Sequence, residues 1–178
     1  MISGLLTVAL LFFVFAQAAV TRSSGQSAAD AAALAAARES RDHLFEEFLH
    51  TIDDGGDIEN ILSGDDFHVP EACEDAAPQL ADRNDAVVIS CEPDYDRTGY
   101  TVEVRTRDTV GESLLPGTED QTARAEATAV IRSLCERESE EEDRVELRCE
   151  DDRDVAFDPG DQDELPEARD LFYIYLDD

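Results

Sequence analysis

Four cysteines, Cys73, Cys91, Cys135 and Cys149, are the residues of this chain best suited to covalent chemistry. A thiol can bind a metal, attack an electrophile or pair with another thiol, and spacing decides among these. None of the four forms a Cys-x-x-Cys pair, and His43, His50 and His68 fall outside any metal-ligand spacing with them, so zinc is set aside. Disulfides remain, with three pairings open. A hairpin joining residues 131–135 to 145–149 around the acidic tip Glu138–Asp143 brings Cys135 opposite Cys149, on one face with Ile131, Val145 and Leu147. Cys73 is then left to Cys91. Each bridge closes a loop of roughly 15 to 20 residues and contributes about 3 kcal/mol in the chain-entropy model.

The other reactive side chains are mostly carboxylates. A catalytic acid pair needs one member raised in pKa by an apolar pocket, and these carboxylates lie in charged runs. Asp53-Asp54-Gly55-Gly56-Asp57 and Glu138–Asp143 offer oxygen ligands for calcium but lack the spacing of an EF-hand loop, and both read as solvated turns. His43 and His50 sit two helical turns apart and read as exposed helix residues. Leu115-Pro116-Gly117-Thr118-Glu119 imitates a sortase sorting signal, yet its fifth residue is Glu and no apolar tail follows, so Pro-Gly reads as a turn. No GxSxG, HExxH, P-loop or GxGxxG occurs. The expectation is a non-enzymatic protein with no catalytic residue, metal, cofactor or small-molecule substrate.

The 178 residues suit one modest domain with appendages. They include 44 acids against 14 bases, every base being Arg, for a net charge of −30. Such a surface repels nucleic acid and anionic lipid headgroups. GC-rich coding and adaptation to high salt both account for the acidity, and neither is a function.

Ile2 to Thr21 carries no charge over twenty residues. As a helix it spans about 30 Å, the thickness of a bilayer core. Leu5 to Phe15 also makes a signal-peptide core, with Ala16-Gln17-Ala18 as a small-x-small cleavage site. Anchoring and cleavage both predict export. No Lys or Arg precedes the run while Arg22 follows it, against the positive-inside pattern. The expectation is therefore that Met1 is a late-called start with a basic segment upstream.

Beyond the apolar run, Ser27 to Ile52 reads as helix, with Ala31, Leu34, Ala37, Leu44, Phe45, Phe48 and Ile52 at three- and four-residue steps. Arg38 and Asp42 are spaced to pair on its wet face. Short helices are expected near Asp57–Leu62 and Glu71–Asp82, the second limited by Pro78. After Asp85 the period becomes two. Ala86–Cys91, Tyr100–Arg107, Gln121–Cys135, Val145–Cys149 and Leu171–Leu176 read as strands, and Asp151–Pro166 as an acidic loop. In the third strand Ala123, Ala125, Ala127, Ala129 and Ile131 share one face. A helix followed by strands argues for an α+β fold on a small antiparallel sheet.

Gln17-Ala18-Ala19-Val20-Thr21-Arg22, followed by Gln26-Ser27-Ala28-Ala29-Asp30-Ala31-Ala32-Ala33-Leu34-Ala35-Ala36-Ala37, resembles the N-terminal signature of TadE/TadG-like Flp pilus-assembly proteins. Ala81-Asp82-Arg83-Asn84-Asp85-Ala86, Thr109-Val110-Gly111, Pro116-Gly117-Thr118-Glu119 and Ala125 to Ile131 are similar to the TadG-related branch. The basic, Gly-Gln-containing stretch that the family carries before its apolar helix is not among these residues. The resemblance implies a pilin-like arrangement: a single-pass membrane helix at residues 1–21, an alanine-rich stalk helix at 22–52 and an exported acidic domain at 53–178. It implies a role in assembling a Tad-type pilus or secretion apparatus, as a minor-pilin-like component or assembly factor, with the apparatus proteins as partners. The alternative is a soluble secreted binding domain released near Ala18; an exported enzyme is the third reading.

Small residues permit close backbone approach, so the Ala31-Leu34-Ala37 stripe is expected to pack on the face that carries Ala127. Ala28 and Ala32 are expected to stay free for another helix of the apparatus.

Overall fold

The computed structural model describes residues 2–64, 67–95, 97–109, 122–141, 144–150 and 153–177; within 2–21 only the side chains at 6, 8, 12, 19 and 20 are described, and those at 139–141 are not. The turn expected at Pro116–Gly117 and residues 142–143 of the acidic tip lie outside these residues. The chain is α+β. Helix α1 (Ile2–Asp53) is followed by α2 (Glu59–Ser63), a π-helical turn (Ala72–Ala76) and α3 (Ala77–Arg83). Strands β1 (Ala86–Asp94), β2 (Gly99–Thr109), β3 (Thr122–Ser133), β4 (Cys135–Glu141), β5 (Arg144–Cys149) and β6 (Arg153–Phe157) come next. A single turn of helix, α4 (Ala168–Leu171), then leads into β7 (Phe172–Asp177).

Two antiparallel sheets form where the sequence suggests one. The larger has the order β1-β2-β3-β7 and the smaller β4-β5-β6. The chain leaves one for the other at Leu134, whose N–H is taken by Leu171 O at 2.7 Å while its carbonyl accepts from Glu150 N at 2.8 Å. Strand β6 corrects the expected loop over Asp151–Pro166. Val155 stands opposite Leu147 and Phe157 opposite Val145, so two apolar residues at strand spacing are enough to add a third strand within acidic surroundings. Phe157 is fully buried.

Helix α1 runs unbroken for 52 residues, about 78 Å at 1.5 Å per residue. Its course over the large sheet follows from two contacts. Near one end, a Cβ built on Gly25 meets Ala123 Cβ and Thr106 Cγ2 at 3.5 Å. Fifteen residues on, Ser40 Oγ lies 2.5 Å from the hydroxyl of Tyr100. Fifteen helical residues cover roughly 22 Å, and the six strand steps from Thr106 to Tyr100 cover roughly 20 Å. The helix therefore lies along β2 and β3, running the same way as β3. Its far end carries Leu44, Phe48 and Ile52 into the core, where the rings of Phe48 and Phe157 stand 6.3 Å apart.

The alanines do not divide as their spacing suggests. Ala28, Ala29, Ala32, Ala33, Ala36 and Ala37 are all fully buried, whereas Ala31 and Leu34 are only half-buried. Ala28 and Ala32 thus leave no edge free for another helix, because the sheet on one side and α3 with its π-helical turn on the other cover a broad arc of α1. The strand register is as expected: Ala127 and Ala129 are buried, and Thr128 lies on the other face with its hydroxyl 2.9 Å from that of Thr101.

Among the described residues no helix is both long and apolar enough to cross a membrane; the span expected over residues 2–21 falls mostly on side chains outside that set. The packing of α1 makes a direct test. Ala32→Leu should overpack the contact and cost about 1 to 3 kcal/mol, while half-buried Ala31→Leu should change stability by less than about 0.5 kcal/mol. Chemical denaturation of both variants checks this.

Candidate functional site

Both disulfides are present, Cys73–Cys91 and Cys135–Cys149, and no described cysteine is free. Cys135 and Cys149 stand directly opposite each other in the β4–β5 register, so the ladder itself presents the two thiols to each other. Cys73, in the π-helical turn, ties the α3 region to β1 through Cys91. The four cysteines are structural staples, and none is left to act as a nucleophile or ligand. Among the described residues no group of His, Cys, Asp or Glu is arranged to hold a metal ion. His43 and His50 sit on the outer face of α1, paired with Glu39 and Asp54 at 3.5 and 3.3 Å. His68 packs its ring 5.0 Å from Tyr95 and 5.8 Å from Tyr100.

A buried polar cluster centres on Tyr100, at the start of the expected strand Tyr100–Arg107. Its buried hydroxyl meets Ser40 Oγ at 2.5 Å and accepts from Val69 N at 3.0 Å. One phenol thus fastens the helix, the sheet and the segment after α2. Ser40 is itself fully buried, and its place four residues after Ala36 on the covered face is the one signal that could have announced it. These contacts join three elements, which makes the cluster a clasp.

Ala31, Leu34 and Ala35 form one wall of an open groove of about 570 Å³ between α1 and α3, with Ala76 and Leu80 opposite and Arg38, Glu39, Asp75 and Arg83 around the rim. Two of the three residues expected to pack on the sheet, Ala31 and Leu34, face this groove; Ala37 alone is fully buried. Arg41, rather than Arg38, pairs with Asp42, at 2.6 Å.

At the N-terminal end the side chains change character. Leu6 is 58% exposed, Val8 67%, Phe12 77% and Val20 68%. Leu6 and Val8 point about 200° apart around the helix, so neither side of it is covered by the folded domain.

Charge does little of the fastening. Arg97, held first by Asp177 and then by Asp94, has its guanidinium pushed above the usual arginine range and stays cationic at any working pH. The other ion pairs are similarly exposed, for example Arg132–Glu150 at 2.9 Å, and such pairs contribute at most about 1 kcal/mol each. No family model matches this chain, and neither a curated protein nor a solved structure matches it.

Two measurements follow from this geometry. Tyr100→Phe leaves buried Ser40 Oγ and half-buried Val69 N–H without their partner and should cost about 1 to 3 kcal/mol; adding Ser40→Ala should cost less than the sum of the two single changes, since the residues share one hydrogen bond. A net charge of −30 over 178 residues repels itself, so the melting temperature should rise with potassium chloride as the screening length falls from about 10 Å at 0.1 M to about 3 Å at 1 M.

Proposed function

We infer that this is a non-enzymatic, membrane-anchored protein whose acidic disulfide-bonded domain is exported and serves in assembling an extracytoplasmic apparatus, of the kind the TadE/TadG resemblance implies. One observation carries the reading: α1 is a single helix whose later half is buried in its own domain and whose N-terminal side chains Leu6, Val8, Phe12 and Val20 are large, apolar and bare on more than one face. Leaving such side chains in water forgoes roughly 1.5 to 3 kcal/mol for each large one. A lipid bilayer, or helices within it, removes that penalty, and residues 2–21 bring no charge into it. The unbroken helix would then act as a rigid stalk that carries membrane position directly into the sheet.

Two further features support export and a role by contact. The paired cysteines suit an oxidising compartment. The enclosed hydroxyls of Ser40 and Tyr100 fasten elements to one another.

Carbonate washing of membranes, followed by N-terminal sequencing of the mature chain, tests the anchor. The expected result is retention in the membrane pellet with residues 2–20 intact. Release into the wash with a new N-terminus at Ala19 would replace this reading with a secreted binding domain cut after Ala18. Co-purification of secretion-apparatus membrane proteins with the intact chain is expected alongside retention.

A further inference from the structure

Helix α1 and the segment from Val69 through α3 run side by side in opposite directions. At the start of the segment, Val69 N–H meets the Tyr100 hydroxyl beside Ser40. At its end, Asp82 pairs with Arg107, and Arg107 N–H donates to Asp85 O at 2.7 Å. Arg107 follows Thr106, the strand residue that Gly25 approaches. The segment therefore begins near Ser40 and ends towards Gly25, so its charged residues can be placed along α1.

The groove between them has an apolar floor of Ala31, Leu34 and Ala35 on one wall and Ala76 and Leu80 on the other. Ala31, Leu34, Ala76 and Leu80 are half-buried and keep surface towards the groove. On each wall the apolar residues recur at three- or four-residue steps, which aligns them along the helix. The Cys73–Cys91 bridge ties the second wall to β1 before anything binds. The rim charges are segregated. Glu71 and Asp75 lie with Arg38 and Glu39 at the Ser40 end, three carboxylates against one guanidinium, and Arg83 stands at the other end. The carboxylates near Arg83 are engaged elsewhere, Asp82 by Arg107 and Asp30 by Gln26. Among the described residues neither Arg38 nor Arg83 has an ion-pair partner, although the chain holds 44 acids against 14 bases.

We propose that this groove seats an α-helix of a partner protein, a helix that carries a carboxylate at one end of the contact and lysine or arginine at the other. Shape fixes the conformation of the occupant, since two helical ridges of alanine and leucine leave between them the hollow into which a third helix packs. Small side chains at Ala31, Ala35 and Ala76 let its backbone come close. Charge fixes its composition. The contact runs from Ala31 to Glu39, about 12 Å or two turns of helix, with Arg83 calling for a carboxylate at one end and Glu39, Glu71 and Asp75 for a cation at the other. A second copy of this chain would bring another net charge of −30 against the first, so a different protein is favoured. The site stands on the groove and its charges and is independent of the membrane anchor.

Fluorescence anisotropy on the full chain in detergent tests the proposal, with three stapled, capped helical peptides of about 15 residues as probes. All share one alanine–leucine face; one has glutamates at one end and lysines at the other, one has glutamates at both ends, and one has lysines at both. Potassium chloride at about 0.5 M screens the long-range pull of the acidic chain on lysine. The mixed probe should bind at least about fivefold more tightly than either of the others. Arg83→Glu should turn the preference to the all-lysine probe, and Glu71→Arg with Asp75→Arg should turn it to the all-glutamate probe. These side chains are exposed, so the melting temperature should stay within about 2 °C. Leu80→Glu should weaken all three probes. Three results would overturn the proposal: no probe bound by the unaltered chain, all three bound alike, or a preference that the charge reversals leave unchanged.

Discussion

The close approach of α1 to the β2–β3 pair is the contact on which the rest of the molecule depends. Gly25 sits so near the sheet that a Cβ there would touch Ala123, Ala125 and Thr106 at 3.5 to 3.7 Å, and the next turns are alanines buried completely. Two small surfaces exclude water without voids, but each alanine buries little apolar area. The upper contact is therefore tight and thin. Thickness comes only further along, where Leu44, Phe48 and Ile52 reach into a layer shared with Leu147, Phe157 and Leu171. The clasp of Ser40 with Tyr100 lies between these zones and sets how far along the strands the helix can sit.

A similar economy governs the strands. Gly99 starts β2 where a Cβ would fall 2.5 Å from Ala129 O, so the entry to the central hairpin admits no side chain. Beyond it the small sheet has few large residues of its own, and its β4–β5 ladder is tied by Cys135–Cys149. The Cys73–Cys91 bridge does the same for α3 against β1. In a chain whose charge opposes compaction, these two bridges limit the unfolded ensemble, and Cys135 and Cys149 also sit buried in the core.

The exposed faces divide the work differently. On the outer face of the large sheet, like charges stand directly opposite, Arg105 with Arg124 and Glu103 with Glu126, and the diagonal Arg124–Glu103 pair relieves both contacts. The face is solvated and self-consistent. The N-terminal part of α1, with Leu6, Val8, Phe12 and Val20 exposed, is not, and it projects beyond the Thr122 end of β3 because α1 runs the same way as that strand.

Much of this was legible before the structure. Helix over Ser27–Ile52, five of the seven described strands and the parity of β3 follow from periods of 3.6 and 2, which depend on neighbours along the chain; Cys135 does oppose Cys149, but in a hairpin of Cys135–Glu141 with Arg144–Cys149 rather than of residues 131–135, since Ile131 pairs with Ile174 of β7. The facing of α1 was not legible, since alanine occupies Ala28, Ala29, Ala31, Ala32, Ala33, Ala35, Ala36 and Ala37 and so marks no side of the helix as inner; only the positions of the sheet and α3 chose Ala32 over Ala31. Strand β6 was hidden because Val155 and Phe157 gain their meaning from Leu147 and Val145 across the ladder.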